Sequence, residues 1–296
     1  MPNDPSRKVI LITGCSSGFG LLTAARLASR GHHVIATMRN LNKQGALIEE
    51  VHLRGGKVEV MRLDVTDRDS IAAVVREIGA QYGYLDVLVN NAGFGMGGFF
   101  EDLSDEDIRE QLEVNYFGVL NVTRAVIPYM RQKRSGKIIN ISSVAGTYAS
   151  PAFSAYNASK WALEAFSESL RHELKFFGIQ VLLVEPGTYR TQIFDDNARK
   201  AKNFYNENSP YFGLSKFLEK RVRDYVEDCH KDPEDVAALI EKLVNSKNPP
   251  FRNIPDIESQ CLYFLRRLLP FSLFETLIRK AIFSKLAPEQ FPVNKA

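Results

Sequence analysis

An α/β fold built on a doubly wound parallel sheet, with six to seven strands and helices on both faces, is predicted by three features of this sequence. Residues 1–190 alternate short β-branched apolar runs with longer stretches of helical periodicity, the order expected of stacked βαβ units. The runs are apolar on consecutive residues, as in strands covered on both faces. A glycine-rich turn joins the first run to the first helical stretch, as in dinucleotide-binding (Rossmann) folds.

In order, the predicted strands are 9–13, 33–38, 58–63, 85–90, 137–142 and 180–185. Helices are predicted over 21–29, 70–82, 114–131 and 155–177. The connection 186–210 lacks apolar periodicity and is rich in Asn, Lys, Asp and Tyr, which makes it a candidate lid over a site. Helical periodicity returns over 216–228 and 233–245, the latter with Asp232 as N-cap and Pro233 at the first helical position. No repeat or linker interrupts this order. The simplest organisation is a catalytic domain over 1–256 with a substrate lid over about 187–230, followed by an apolar helical extension over 257–296 packed on the same domain.

The chain has 296 residues, 45 % of them apolar, enough for a large buried core. A net charge of +3 without any Lys/Arg block gives no footprint for nucleic acid. Three isolated cysteines, Cys15, Cys229 and Cys261, form neither a disulfide framework nor a metal cluster, so no metal is expected. The polar start and a short apolar run do not make a signal peptide, and no stretch reaches the roughly 20 apolar residues of a spanning helix. A cytoplasmic protein is expected.

The turn Thr13-Gly14-Cys15-Ser16-Ser17-Gly18-Phe19-Gly20 places three glycines where a backbone can approach a pyrophosphate and where a helix N-terminus offers unpaired N–H groups. A tight structural turn is the alternative. The second strand ends Ala36-Thr37-Met38-Arg39, without the acid that holds the ribose hydroxyls of NAD. Arg39 could instead face a 2′-phosphate, which favours NADP(H); a merely solvated arginine is the alternative.

Tyr156 and Lys160 lie four residues apart, on one face of the predicted helix. A free phenol, with a pKa of about 10, is a poor acid or base at neutral pH, and a neighbouring cation favours its ionised form. The preceding strand ends in Ser142-Ser143, at the strand end where open α/β sheets bind ligands. Turn chemistry is the alternative for the serine pair.

In order along residues 8–245, the chain resembles the short-chain dehydrogenase/reductase family. The matching motifs are Gly14/Gly18/Gly20, Asp64-Val65, Asn90-Asn91-Ala92-Gly93, Asn115, Ser143, Tyr156, Lys160 and Pro186-Gly187 followed by Thr191. Within the family it is most similar to the 17β-hydroxysteroid and retinol dehydrogenase branch, through Ala36-Thr37-Met38-Arg39, Asn115-Tyr116-Phe117-Gly118 and Ala158-Ser159-Lys160-Trp161-Ala162-Leu163-Glu164. The resemblance implies a catalytic set of Asn115, Ser143, Tyr156 and Lys160. Tyr156 would give its proton to a carbonyl oxygen that Ser143 also bonds. Lys160 would hold the nicotinamide ribose and lower the Tyr156 pKa, and Asn115 would fix a water leading from Lys160 to solvent. It further implies a cofactor site of Gly14, Ser16, Ser17, Gly18, Phe19, Gly20, Arg39, Asp64, Val65, Asn91, Ala92, Gly93, Pro186, Gly187, Thr188 and Thr191, together with Tyr156 and Lys160.

Two features depart from the pattern. Where a last strand is expected the chain reads Phe251-Arg252-Asn253-Ile254-Pro255-Asp256, and Pro255 cannot donate a ladder bond, so a seventh strand is doubtful. Beyond it, Leu262, Leu265, Leu268 and Leu269, then Leu273, Leu277, Ile278, Ala281 and Ile282, recur at helical spacing among Arg266, Arg267, Arg279 and Lys280, with Pro270 splitting two helices. Such a tail could fold over the pocket or core, form a subunit contact, or lie on a membrane surface.

The expected activity is hydride transfer between NADP(H) and a lipophilic alcohol or carbonyl, steroid-like or retinoid-like. Phe94, Met96, Phe99, Phe100, Phe153, Tyr189, Phe194, Phe204, Tyr205, Tyr211 and Phe212 are expected around the site. A β-ketoacyl thioester reductase and a non-catalytic NADPH-binding sensor or scaffold are the alternatives. Relatives imply a homo-oligomer, a dimer or tetramer.

Overall fold

A computed structural model describes residues 7–191, 198–284 and 286. Nine strands and ten α-helices are found among them. In chain order these are β1 (Val9–Ile12), α1 (Gly18–Ser29), β2 (His33–Met38), α2 (Gly45–Leu53), β3 (Glu59–Arg62), α3 (Arg68–Tyr82), β4 (Val87–Asn90), β5 (Gly95–Gly97) and α4 (Asp105–Leu112). There follow α5 (Gly118–Lys133), β6 (Gly136–Ile141), α6 (Ser154–Leu174), β7 (Ile179–Val184), β8 (Ala198–Lys200), α7 (Phe212–Glu227), α8 (Pro233–Asn245), β9 (Arg252–Asn253), α9 (Ile257–Leu268) and α10 (Phe271–Phe283).

Seven strands form one parallel sheet in the order β3-β2-β1-β4-β6-β7-β9. The order reverses between β1 and β4, the switch point at which such sheets leave a crevice above their carboxyl ends. The consecutive apolar residues of β1 divide between the two faces, as the period of two requires. Ile10 and Ile12 pack with Ala24, Leu27, Val236 and Ile240 of α1 and α8. Val9 and Leu11 pack with Ile71, Val74, Val122, Val126 and Leu170 of α3, α5 and α6.

The doubtful seventh strand exists. β9 spans two residues, and Leu183 N and Glu185 N donate to Phe251 O and Asn253 O at 2.7 and 2.9 Å. Pro255 does not prevent it, because it stands two positions beyond the strand and its missing N–H is not needed by the ladder. α8 begins as expected, with the Asp232 carboxylate accepting from Glu234 N at 2.9 Å.

α9 and α10 are separated at Pro270. Phe274 is buried and meets the Tyr148 ring edge-on at 6.2 Å, and Phe283 stacks on Phe217 of α7 at 6.5 Å. No helix among the described residues is long and apolar enough to cross a membrane. The three cysteines are free thiols, with Cys15 buried in the core.

Candidate active site

A cavity of about 980 Å³ opens above the carboxyl ends of β1, β4, β6 and β7, at the upper end of the range for small-molecule sites. Of the expected site residues, Gly14, Ser16, Ser17, Gly18, Phe19, Arg39, Asp64, Val65, Asn91, Ala92, Gly93, Ser143, Tyr156, Lys160, Pro186, Gly187, Thr188 and Thr191 line it. Gly20 and Asn115 stand behind the lining.

The floor is two loops bound to each other. Thr13 Oγ1 accepts from Asn91 N and Ala92 N, both at 3.0 Å, and Asn91 Nδ2 donates to Thr13 O and Gly14 O at 2.9 and 3.0 Å. Gly14 has φ +73°, and a β-carbon there would lie 2.7 Å from Ala92 Cα. A β-carbon on Gly20 would run into Gly14 O and the Asn91 amide. Both glycines are therefore required for the loops to close. α1 opens onto this floor with no acidic residue in its first turn, leaving its N-terminal partial positive charge uncancelled.

At the far end of the cavity stand Met38, Arg39, Lys43, Asp64 and Val65. Asp64 Oδ1 is held by Thr66 N and Thr66 Oγ1 at 3.0 and 2.8 Å. Arg39 and Lys43 are exposed and carry no ion-pair partner among the described residues. Lys43 escaped the sequence reading because it lies in a short turn of 3₁₀ helix, Leu41–Lys43, that no apolar period marks. A glycine cradle and a helix N-terminus free of acid fit a dinucleotide, and two unpaired cations stand at the far end of the same cavity.

At the other end, α6 carries Tyr156 and Lys160. The Lys160 ammonium lies 5.8 Å from the Tyr156 ring centroid and donates to Ile141 O at 2.9 Å. Ser143 Oγ donates to Pro186 O at 3.3 Å and accepts from Ala145 N at 3.2 Å. Burial raises the Tyr156 phenol above its ordinary range, and its hydrogen bond with Ser143 pulls the other way. Burial also pulls Lys160 down to about 8, against the attraction of Glu164. The cation is thus titratable near neutrality, and in this structure the lowering influence on the phenol comes from Ser143.

Asn115 sits in a wide π-helical turn, Glu113–Phe117, between α4 and α5. Its Oδ1 accepts from Phe94 N at 3.0 Å, and its Nδ2 donates to Phe94 O at 2.9 Å and to Ser159 Oγ at 3.3 Å. Gln111 holds the same segment, donating to Phe94 O at 3.0 Å and accepting from Met96 N at 2.8 Å. Here Asn115 therefore secures the strand that forms the cavity wall.

Behind Lys160 lies a charge cluster that the sequence reading missed. Arg252 Nη1 donates to Glu164 Oε2 at 2.5 Å and to Glu185 Oε1 at 2.7 Å, and both carboxylates are buried. Its one legible signal is that Glu164 continues the four-residue spacing of Tyr156 and Lys160. Burial and the neighbouring Glu164 raise Glu185 to about 7.

The expected aromatic surround is smaller than the sequence implied. Phe94, Phe153, Tyr189 and Phe204 line the cavity, with Val144, Tyr148, Leu218, Val222 and Val226. Met96 is buried in the core, and Phe99 stacks on Tyr211 at 4.6 Å away from the lining. Phe100 and Tyr205 are exposed, and Phe212 lies under the Lys216 ammonium at 4.1 Å. Composition shows aromatic side chains near a site but not the direction in which each loop turns them. Phe194 lies outside the described residues. Within the segment expected to form a lid, β8 pairs in parallel with β5.

The family model for short chain dehydrogenases matches residues 8–202. The 3-ketodihydrosphingosine reductase of Bacteroides thetaiotaomicron is 42 % identical over 83 % of this chain and 86 % of its own length. Retinol dehydrogenase 8 of Bos taurus is 35 % identical over 89 % and 86 %. Among solved structures, a short-chain dehydrogenase/reductase from Burkholderia phymatum in complex with NAD has a TM-score of 0.77 and 27 % identity, covering 88 % of this chain and 93 % of its own. A metagenomic short-chain oxidoreductase in complex with NADP has a TM-score of 0.65 and 29 % identity, covering 83 % and 95 %. With its glycine floor, Tyr156/Lys160 helix and seven-stranded sheet, this chain belongs to the short-chain dehydrogenase/reductase family of oxidoreductases.

Proposed function

We propose that this protein interconverts a lipophilic alcohol and its carbonyl with NADP(H), using Tyr156 as general acid in reduction and general base in oxidation. The observation that carries the reading is that Ser143, Tyr156 and Lys160 share one cavity with a glycine cradle and a helix N-terminus. The cofactor, when bound, supplies the hydride in reduction and accepts it in oxidation.

The chain's own residues do the rest. The turn from Gly14 to Gly20 takes the pyrophosphate, Arg39 and Lys43 the adenosine phosphate, and Asp64 and Val65 the adenine. Asn91, Ala92 and Gly93 border its ribose, and Pro186, Gly187, Thr188 and Thr191 hold the carboxamide end. As the carbonyl carbon gains a hydride, the oxygen gains negative charge and takes the Tyr156 proton, while Ser143 hydrogen-bonds the same oxygen. A phenol raised by burial is protonated at neutral pH, as a general acid must be. The Lys160 ammonium holds the ribose and offsets the phenolate that the transfer leaves. Asn115 positions the wall strand through Phe94, and the water leading from Lys160 to solvent is assigned to it on the family resemblance.

A wall containing Phe94, Val144, Phe153, Phe204 and Leu218 supports a lipophilic substrate, retinoid-like, steroid-like or long-chain. Relatives named for retinol and for 3-ketodihydrosphingosine agree with that class. The test is a panel of such carbonyls, with acetoacetyl thioesters as control, followed by loss of NADPH absorbance. Turnover of the long-chain or polycyclic compounds that disappears in Tyr156→Phe is expected. Appreciable residual activity in that variant, or turnover confined to the thioesters, overturns the reading.

A further inference from the structure

The apolar stripe of the C-terminal hairpin is left uncovered. On α9, Ile257, Phe264, Leu265 and Leu268 fall on one face and are 78, 58, 41 and 80 % exposed. Beyond Pro270, Phe271, Leu273 and Leu277 of α10 are also exposed, at 63, 48 and 43 %. The hairpin meets the rest of the protein through Ser259 of α9, opposite that face, and through Phe274 of α10, both of which are buried. Isolated exposed apolar residues are ordinary, but a concentration of them on two successive helices marks a contact surface.

The charges around the stripe indicate what covers it. Arg267 adjoins Leu268, and Arg279 and Lys280 follow Leu277; all three are exposed. Of the two acids on the hairpin, Glu258 is neutralised by Lys231 at 2.7 Å, which leaves Glu275. In a two-fold contact with a second copy these cations would be brought toward one another, at a cost in repulsion. Anionic lipid headgroups neutralise them, while the acyl boundary takes up the apolar side chains. Helices of 12 and 13 residues broken by a proline are too short to span a bilayer and can lie only in its plane.

We infer that α9 and α10 form a docking surface for an anionic lipid bilayer, with Ile257, Phe264, Leu268 and Phe271 inserted at the headgroup boundary and Arg267, Arg279 and Lys280 on the phosphates. The placement serves the site. Phe274 touches Tyr148 and Phe283 stacks on Phe217 of α7, whose Leu218 lines the cavity as Tyr148 does, so the docked face adjoins the substrate end. A lipophilic substrate dissolved in the bilayer then reaches the cavity without crossing water.

The inference is tested by binding, not turnover, so it stands or falls separately from the catalytic reading. The full chain is floated with phosphatidylcholine vesicles, with and without phosphatidylglycerol. Binding that requires phosphatidylglycerol, weakens with salt and is about tenfold or more weaker in the Leu268→Asp/Phe271→Asp variant is expected. Arg267→Gln/Arg279→Gln keeps the apolar stripe and weakens binding to the anionic vesicles even if the first variant fails to fold. Absence of binding, or binding that ignores phosphatidylglycerol or both variants, overturns the inference. So does lipid-free self-association that Leu268→Asp/Phe271→Asp abolishes, which would assign the stripe to a second copy.

Discussion

Arg252 Nη1 lies 2.7 Å from Glu185 Oε1, joining the two-residue seventh strand to the carboxyl end of β7 through an ion pair between a half-buried guanidinium and a fully buried carboxylate. The same guanidinium nitrogen holds Glu164, one helical turn past Lys160. Replacing it strands two buried carboxylates. Arg252→Met is expected to cost about 3 kcal/mol of stability, read from urea melts at neutral pH, because removing one partner of a buried pair leaves uncompensated charge.

Stability should also carry the titration of Glu185. Its folded pKa is raised to about 7, so the fold binds its proton more tightly than the unfolded chain does. The unfolded state then loses the proton first. This contribution declines as pH rises from the ordinary carboxylate range to about 7 and is flat above it. Urea melts across that window check it, and Glu185→Gln should remove the slope.

Lys160 sets an alkaline limit on reduction. With the ammonium pulled down to about 8 by burial, the cation that offsets the Tyr156 phenolate is lost as pH rises through that value. kcat/KM for carbonyl reduction is expected to fall above it. In Lys160→Arg, which stays charged, any residual activity should lose this limb.

Arg39 and Lys43 together should decide between the two nicotinamide cofactors. A charge-assisted contact to a phosphate is worth about 1.5–3 kcal/mol, so Arg39→Ala is expected to raise KM for NADPH by about ten- to a hundredfold while leaving KM for NADH nearly unchanged. Lys43→Ala should move the same ratio by less, a lysine being a point charge without the guanidinium fork. An unchanged NADPH/NADH ratio in the double variant would remove the phosphate assignment.

Gly14 tests the floor. Its φ of +73° costs an L residue about 1–2 kcal/mol, and a β-carbon 2.7 Å from Ala92 Cα must push the loops apart. Gly14→Ala is expected to lower Tm and to weaken dinucleotide binding, followed by quenching of protein fluorescence.

Much of the sheet was legible because central strands such as β1 and β4 lie between two layers of helices and so carry consecutive apolar residues, while edge strand β3 keeps only Val60 and Met61 between Glu59 and Arg62. β9 was not: at two residues it is too short to have a pattern, and its register is set by Leu183 and Glu185 on the neighbouring strand. β5 and β8 were missed for a related reason, since Gly95, Gly97, Arg199 and Lys200 have no strand preference and pair only through the loops that carry them. The glycine turn, Tyr156, Lys160 and Ser143 were legible as local spacing. Arg252 and Glu164 are 88 residues apart and meet only in the folded chain, so no window of sequence contains their pairing.

The wide turn at Glu113–Phe117 acts on the phase of everything downstream. Each residue of an α-helix advances about 100°, so an inserted position rotates the next helix by about that angle relative to the last. Val122, Val126 and Met130, which pack with Val9, Leu11 and Ile138 of the sheet, take their phase from that offset. Shortening the chain by one residue there would leave every side chain in place by name and turn a whole apolar flank toward water. The position is thus intolerant of deletion in a way that no single substitution would reveal.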